Sequence, residues 1–188
     1  MNFITKLTIS ADLDTMRSDL ETTLEKCPWP LEDIHLKTPG NQIGLRCRPT
    51  SADPYLDASG GLYDKTKHKF IAKESDFSEF NDLVNPYTKS KLTELAEIEK
   101  INLGRVRYMR LMPKTGLSIH HDWEVRYHYV LHTNEHSLFG EYNNNSDTKA
   151  LCYHIPADSY FYKVDTTRDH FVYNGGWEPR IHLVVCAA

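Results

Sequence analysis

Two histidines and an aspartate are spaced in this chain as the protein ligands of a metal ion would be. His120 and Asp122 are one residue apart, and His170 follows later in the chain. Two histidines with one carboxylate form the facial ligand set of non-haem iron(II) sites, in which other coordination positions stay open to small molecules. Arg180 comes after His170, and a guanidinium can hold a carboxylate through two hydrogen bonds. The pattern predicts a metal and an acidic small molecule in one pocket.

The spacing agrees with strand geometry, because side chains alternate between two faces along a strand. On an extended segment, His120 and Asp122 point the same way and His121 points the opposite way. A bulge or twist at this point would exchange the two histidines, so His121 stays an alternative ligand. Since the chain has 10 histidines, a single His-x-Asp carries little weight. The prediction depends on its combination with His170 and Arg180.

A glycine-rich turn separates the last two predicted strands. Residues 170–173 and 180–186 are extended by pattern, and Asn-Gly-Gly at 174–176 lies between them. A tight hairpin through the two glycines would set the strands side by side, with Arg180 near the return end. The pocket would then receive side chains from three strands.

The segment Arg126–His132 carries a second signal for a site. Arg126 and His128 share one face of the predicted strand, and Tyr127 and Tyr129 share the other. Charged and imidazole side chains need partners when they are buried. Two interpretations stay open: this face is the solvent-exposed side of the sheet, or it lines the pocket and binds an anion.

The pattern of elements predicts a mainly β fold with flanking helices. Apolar residues recur at helical spacing from Leu13 to Leu24, with Ser10 as N-cap, and Cys27–Pro30 ends this helix. A second helix is expected from Pro86 to about Glu99. After Gly104 the chain changes to short strands separated by polar turns, at 105–112, 126–132, 136–142, 149–154, 159–164, 170–173 and 180–186, with a turn at 143–147.

Such a series of short strands favours a jelly roll, the cupin-like double-stranded β-helix, with the N-terminal helices packed on one sheet. We expect residues 1–188 to form a single domain. In it, residues 1–103 are a helical and loop-rich N-terminal part, and 104–188 form the core of the double-stranded β-helix.

Composition excludes several classes of function. The net charge of -4 gives no basic field, so we expect no nucleic-acid partner. The sequence shows no apolar run of membrane-spanning length and no signal-peptide pattern, so we expect no membrane partner. Four cysteines without Cys-x-x-Cys spacing indicate reduced thiols, which favours a cytoplasmic location.

Two parts of the second half resemble the aspartyl/asparaginyl β-hydroxylase-like family. The first part comprises Gly104–Tyr108, Leu117–Asp122 and Arg126–His128, and the second comprises Val164–Val172 with Arg180 beyond it. This resemblance, which covers about residues 100–188, implies an Fe(II)- and 2-oxoglutarate-dependent oxygenase on a double-stranded β-helix. It implies that His120 and His170 ligate iron, that Arg180 binds the distal carboxylate of 2-oxoglutarate, and that the co-substrate is also held by Arg126 and His128.

One departure from the family bears on the substrate. Aspartyl/asparaginyl hydroxylases proper bind iron with two histidines and no carboxylate, whereas Asp122 stands where amino-acid hydroxylase relatives carry their third ligand. The expected reaction is therefore hydroxylation of an unactivated C–H bond in an amino acid, peptide or other small molecule. Molecular oxygen is consumed, and succinate and CO2 are released.

Two other functions stay open on the same fold, because a fold hosts many functions. One is a cupin-like metal-binding module without oxygenase turnover. The other is an isomerase or hydrolase that uses Zn(II) or Mn(II) in the same ligands. Arg180 discriminates among the three, since only the oxygenase needs a cation for the distal carboxylate of a co-substrate.

Overall fold

The structure is a computed structural model that describes residues 2–30, 41–49, 51, 53–55, 57, 62–64, 66–143 and 150–188. In chain order the helices and strands of the described residues are β1 Ile4–Ser10, α1 Leu13–Lys26, β2 Asn41–Gly44, β3 Arg46–Cys47, β4 Tyr63–Asp64, β5 Lys69–Phe70, β6 Glu79–Phe80, α2 Pro86–Glu99, β7 Leu103–Leu111, β8 Thr115–His120, β9 Arg126–His132, β10 Ser137–Tyr142, β11 Ala150–Tyr153, β12 Tyr160–Val164, β13 His170–Asn174 and β14 Arg180–Ala187. A single 3-10 turn, at Glu74–Asp76, lies between β5 and β6 in this part of the chain.

Two antiparallel sheets form the body of the fold. Among the described residues, six strands form the large sheet in the order β1-β12-β9-β14-β7-β2, and four form the small sheet in the order β11-β10-β13-β8. The predicted class, a mainly β jelly roll with flanking helices, is confirmed. Of the predicted turn at 143–147, residues 144–147 lie outside the described part.

Both helices pack against the outer face of the large sheet. Met16 and Leu20 of α1 and Leu92 and Leu95 of α2 are buried there. Full burial of one such side chain stabilises the fold by about 1.5–3 kcal/mol. The second helix has the predicted bounds, Pro86–Glu99.

The N-cap of α1 corrects the sequence analysis. Ser10 is the last residue of β1, and Asp12 is the N-cap, whose carboxylate accepts hydrogen bonds from the backbone N–H and the hydroxyl of Thr15. Both residue types are good caps, so composition alone did not decide between them. Residues 4–10, for which no strand was predicted, extend the large sheet by pairing with β12.

Strand β9 shows how alternation divides the interior. Tyr127, Tyr129 and Leu131 join the core beneath the helices. Val130 joins a second core between the two sheets, and His128 is buried on the same face of the strand. Of the two interpretations of this face, the solvent-exposed one is therefore wrong from His128 to Val130.

The predicted hairpin through Gly175 and Gly176 is wrong. Strand β13 pairs with β10 and β8, whereas β14 pairs with β7 and β9, so the two strands lie in different sheets. The fully buried Asn174 explains the crossing, because its amide donates hydrogen bonds to the carbonyl oxygens of Leu111, Met112 and Glu178.

No helix in the described part of the chain is long and apolar enough to span a membrane.

Candidate metal centre and its cavity

His120, Asp122 and His170 meet where strands β8 and β13 pair. His120 and His170 are direct cross-strand partners, and their ring centroids are 4.3 Å apart. One ligand atom from each of the three residues lies within 4.8 Å of the others. The distance from His170 Nε2 to Asp122 Oδ2 is 3.7 Å. The three predicted ligands therefore come together in space.

Backbone carbonyls select the tautomer of both histidine rings. His120 Nδ1 is 2.7 Å from the carbonyl oxygen of Ser118, and His170 Nδ1 is 2.9 Å from that of Arg168. A carbonyl only accepts, so each Nδ1 carries the hydrogen and each Nε2 keeps its lone pair. This is the arrangement that metal-bound histidines usually show. Burial also lowers the pKa of His170, which favours its neutral, ligating form.

The carboxylate of Asp122 has one oxygen engaged and one unpartnered. Oδ1 accepts a hydrogen bond of 2.5 Å from Arg126 Nη2, and the backbone N–H of Asp122 donates to the carbonyl of Thr166. Oδ2 is buried, and it has no hydrogen-bond partner among the described residues. Burying such an atom unpaired is unfavourable, and a cation would satisfy it. The donor set of two imidazoles and one carboxylate oxygen fits Fe(II).

His121 points away from this cluster. Its side chain is 62% exposed, and its Nδ1 lies 3.2 Å from Asp169 Oδ1. The alternation of side chains along β8 thus continues past the end of the strand. This geometry gives no support to the alternative in which His121 replaces His120.

Arg180 lies in the wall of a cavity of about 1160 Å³ that His120 and Asp122 also line. The guanidinium is buried, donates to His182 Nδ1 at 2.9 Å and lies 4.8 Å from the ring centroid of Phe139. Within the described part of the chain, no carboxylate forms a salt bridge with it. Burial lowers the pKa of Arg180 to about 9. A buried cation whose contacts are all neutral is a strong candidate to bind an anion.

His182 and His128 form a pair behind this guanidinium. Arg180 only donates, so His182 Nδ1 must accept and His182 must carry its hydrogen on Nε2. His128 Nδ1, 3.3 Å from His182 Nδ1, must then be the donor. The Nε2 atoms of both rings are buried, and neither has a partner among the described residues. Sequence reasoning did not assign His182 to the site, although its position two residues after Arg180 places it on the same strand face.

Arg126 and His128, the two remaining candidate residues, differ in their position relative to the cavity. Arg126 lines the cavity and holds the carboxylate of Asp122. His128 is not among the described lining residues; its ring packs edge-on against Phe139 and contacts His182. Arg126 therefore contacts one of the three candidate ligands directly, and His128 reaches Arg180 in the cavity wall only through His182.

Replacing Arg126 with alanine is expected to weaken Mn(II) binding about tenfold, because it frees a carboxylate that the guanidinium now orients. Removing a positive charge near the metal should itself strengthen Mn(II) binding. We therefore expect a net loss of affinity at the low end of the range for a residue that supports a ligand. Calorimetric titration of Mn(II) measures it, with the lysine variant as control. Unchanged metal affinity together with weaker 2-oxoglutarate binding would instead assign Arg126 to the co-substrate.

We expect the protein to lose stability in acid, because the fold holds His128 and His182 neutral. Burial, and then the charge of Arg180, lower both pKa values well below the ordinary 6.5. In the unfolded chain both rings take up a proton below about pH 6.5, so the unfolded state binds more protons than the folded state. Each ring then reduces the free energy of unfolding by up to about 1.4 kcal/mol per pH unit.

Urea unfolding of the metal-free protein between about pH 7 and pH 5.5 measures this dependence. The variant His182→Gln is the matched control, because an amide can accept from Arg180 but does not titrate. The slope of its free energy of unfolding against pH should be smaller by up to about 1.4 kcal/mol per pH unit, because one fewer ring takes up a proton on unfolding. The same slope in both proteins would contradict a neutral, buried His182.

Two solved structures share this fold over nearly the whole chain. One is an oxidoreductase of the 2OG-Fe(II) oxygenase family from Burkholderia pseudomallei, with 11% identity and a TM-score of 0.57 over 99% of this chain and 84% of that one. The other is IDO from Bacillus thuringiensis, with 13% identity and a TM-score of 0.56 over 100% of this chain and 90% of that one. No protein-family model and no curated protein sequence matches the chain. At these identities the likeness is one of fold.

Proposed function

We propose that this protein is an Fe(II)- and 2-oxoglutarate-dependent oxygenase, related to the aspartyl/asparaginyl β-hydroxylase-like family, that hydroxylates an amino acid or another small molecule. One observation carries the proposal. The buried guanidinium of Arg180, which forms no salt bridge within the described part of the chain, lines the same cavity as His120 and Asp122. A metal site and an unmatched cation in one cavity suit a co-substrate that ligates metal at one end and carries a carboxylate at the other.

In this proposal, His120 Nε2, His170 Nε2 and Asp122 Oδ2 hold the iron. The carbonyls of Ser118 and Arg168 keep the two imidazoles in the ligating tautomer, which prepares the site before metal binds. Bound iron and 2-oxoglutarate together supply oxygen activation, with release of succinate and CO2 and hydroxylation of a C–H bond.

Arg180 binds the distal carboxylate of the co-substrate. An anion there would offset the unfavourable burial of the guanidinium, since a charge-assisted pair is stronger in a site that excludes water. His182 orients the guanidinium by accepting one of its hydrogens, and Phe139 packs against its face. Neither a hydrolase nor a silent metal module needs this arrangement, which is why it favours the oxygenase.

Formation of succinate from 2-oxoglutarate tests the reaction class. We expect the protein with Fe(II) to convert 2-oxoglutarate slowly in air, even without substrate, and the His120→Ala variant to be inactive. The His121→Ala variant should behave like the unchanged protein, because that side chain lies outside the cluster. Metal-dependent binding of 2-oxoglutarate without any oxygen uptake, with or without candidate substrates, would support the silent module instead.

A further inference from the structure

An aromatic cluster, formed by Tyr63, Phe70 and Trp123, makes up part of the cavity wall beside the metal ligands. Tyr63 and Phe70 are cross-strand partners in β4 and β5, with ring centroids 5.2 Å apart. Trp123 directly follows Asp122, and its ring lies 5.5 Å from Phe70 and 6.1 Å from Tyr63. All three line the cavity that contains His120 and Asp122.

The cluster is apolar and yet open to solvent. Trp123 is 66% exposed and Phe70 is 47% exposed. Ile119, which lines the same cavity, is 49% exposed. Exposed apolar patches of this kind often mark binding sites, because covering them removes apolar surface from water. A ligand arm of matching character would be stabilised here.

The apolar surface lines the same cavity as the proposed metal ligands. Ile119 immediately precedes the ligand His120, and Trp123 immediately follows the ligand Asp122. A molecule in this cavity whose apolar arm contacts both side chains would therefore share the cavity with the metal that His120 and Asp122 would hold. This placement suits hydroxylation of an unactivated carbon within the arm.

The charge of the cavity points to the other end of the substrate. Six lysine and arginine residues and four aspartate and glutamate residues are among the described lining residues. A divalent metal and a doubly negative 2-oxoglutarate would cancel each other, so a positive excess would remain. Such an excess favours a substrate that carries a carboxylate over the same molecule without one.

We propose that the substrate is a small carboxylic acid with a large apolar arm, such as an amino acid with a branched aliphatic or aromatic side chain. The arm packs on the aromatic cluster. This inference rests on the proposed function and names its substrate class. Trp123 determines specificity because it supplies the most exposed apolar surface of the cluster.

Four probes separate the arm from the charge. Calorimetric titrations use protein loaded with Fe(II) and 2-oxoglutarate in the absence of oxygen, and the probes are phenylalanine, leucine, alanine and phenylalaninamide. Phenylalanine and leucine should bind at least about tenfold more tightly than alanine, which lacks the arm. Phenylalanine should also bind at least about tenfold more tightly than its amide, which lacks the carboxylate.

The Trp123→Ala variant should bind phenylalanine about tenfold more weakly and leave the affinity for 2-oxoglutarate nearly unchanged. Trp123→Phe should keep most of the affinity. Trp177→Ala is the matched control, since Trp177 is 80% exposed and is not among the described lining residues. Its affinity for phenylalanine should equal that of the unchanged protein.

Equal binding of all four probes, no binding of any of them, or full affinity in Trp123→Ala would overturn the inference. The proposed function fails in a different way. If 2-oxoglutarate does not bind, while phenylalanine still binds in a Trp123-dependent manner without it, the aromatic subsite stands and the oxygenase assignment falls.

Discussion

Replacing Asp122 with alanine is expected to abolish stoichiometric binding of Mn(II), an air-stable substitute for Fe(II). Asp122 supplies the only negative charge among the three proposed ligands, and its buried Oδ2 has no other partner among the described residues. Its loss leaves two neutral imidazoles, so we expect an affinity at least about a hundredfold lower, beyond the range for residues that only support a ligand. His120→Ala and His170→Ala should show the same loss. Calorimetric titration measures each variant.

His121→Ala is the control for this series. It removes an adjacent imidazole that lies outside the cluster, so its metal affinity should match that of the unchanged protein. Circular dichroism establishes that all variants are folded. Full metal binding by Asp122→Ala would show a two-histidine site, as in the aspartyl/asparaginyl hydroxylases proper, and would remove the argument for an amino-acid hydroxylase.

Replacing Arg180 with alanine should raise the 2-oxoglutarate concentration needed for half-saturation by about ten- to a hundredfold. A charge-assisted hydrogen bond contributes about 1.5–3 kcal/mol, which corresponds to that range of affinity. Lysine should restore only part of the loss, because it keeps the charge but not the planar fork that also contacts His182 and Phe139. Titration of the Mn(II)-loaded protein with 2-oxoglutarate gives the values.

Metal affinity is the internal control for the Arg180 variants. No hydrogen bond or ion pair joins Arg180 to a proposed ligand among the described residues, so Mn(II) should bind to each variant as it does to the unchanged protein. Unchanged 2-oxoglutarate affinity in both variants would contradict the role of Arg180. It would favour a metal-binding module without turnover, or an isomerase or hydrolase, over the oxygenase.

Local patterns in the sequence predicted most of the fold. Alternation along β9 and helical spacing in α2 reflect burial of one face, which a single segment displays by itself. The connections between segments were harder to predict from the sequence. Asn-Gly-Gly at 174–176 has the composition of a hairpin, but the buried amide of Asn174 donates to the carbonyls of Leu111 and Met112 in a distant segment, and the chain continues into the other sheet. Such a long-range contact leaves no local signal.

In the candidate site, too, the sequence predicted local features and missed those that depend on distant contacts. The spacing of His120 and Asp122 is a local property of a strand, and the sequence therefore predicted that they share a face. The hydrogen bond of Arg126 to Asp122 and that of Arg180 to His182 depend on side-chain rotamers, which spacing does not specify. The aromatic cluster was also missed, because Tyr63 and Phe70 reach Trp123 only through the pairing of β4 with β5.

The central claim is that one cavity binds Fe(II) and 2-oxoglutarate together. Titration of the metal-free protein with both, in the absence of oxygen, tests it through the weak visible metal-to-ligand charge-transfer band. We expect a band that requires both components, saturates at a stoichiometric amount of Fe(II), is absent in Asp122→Ala, and needs more 2-oxoglutarate in Arg180→Ala. No band from the folded, unchanged protein at saturating Fe(II) and 2-oxoglutarate would contradict the account.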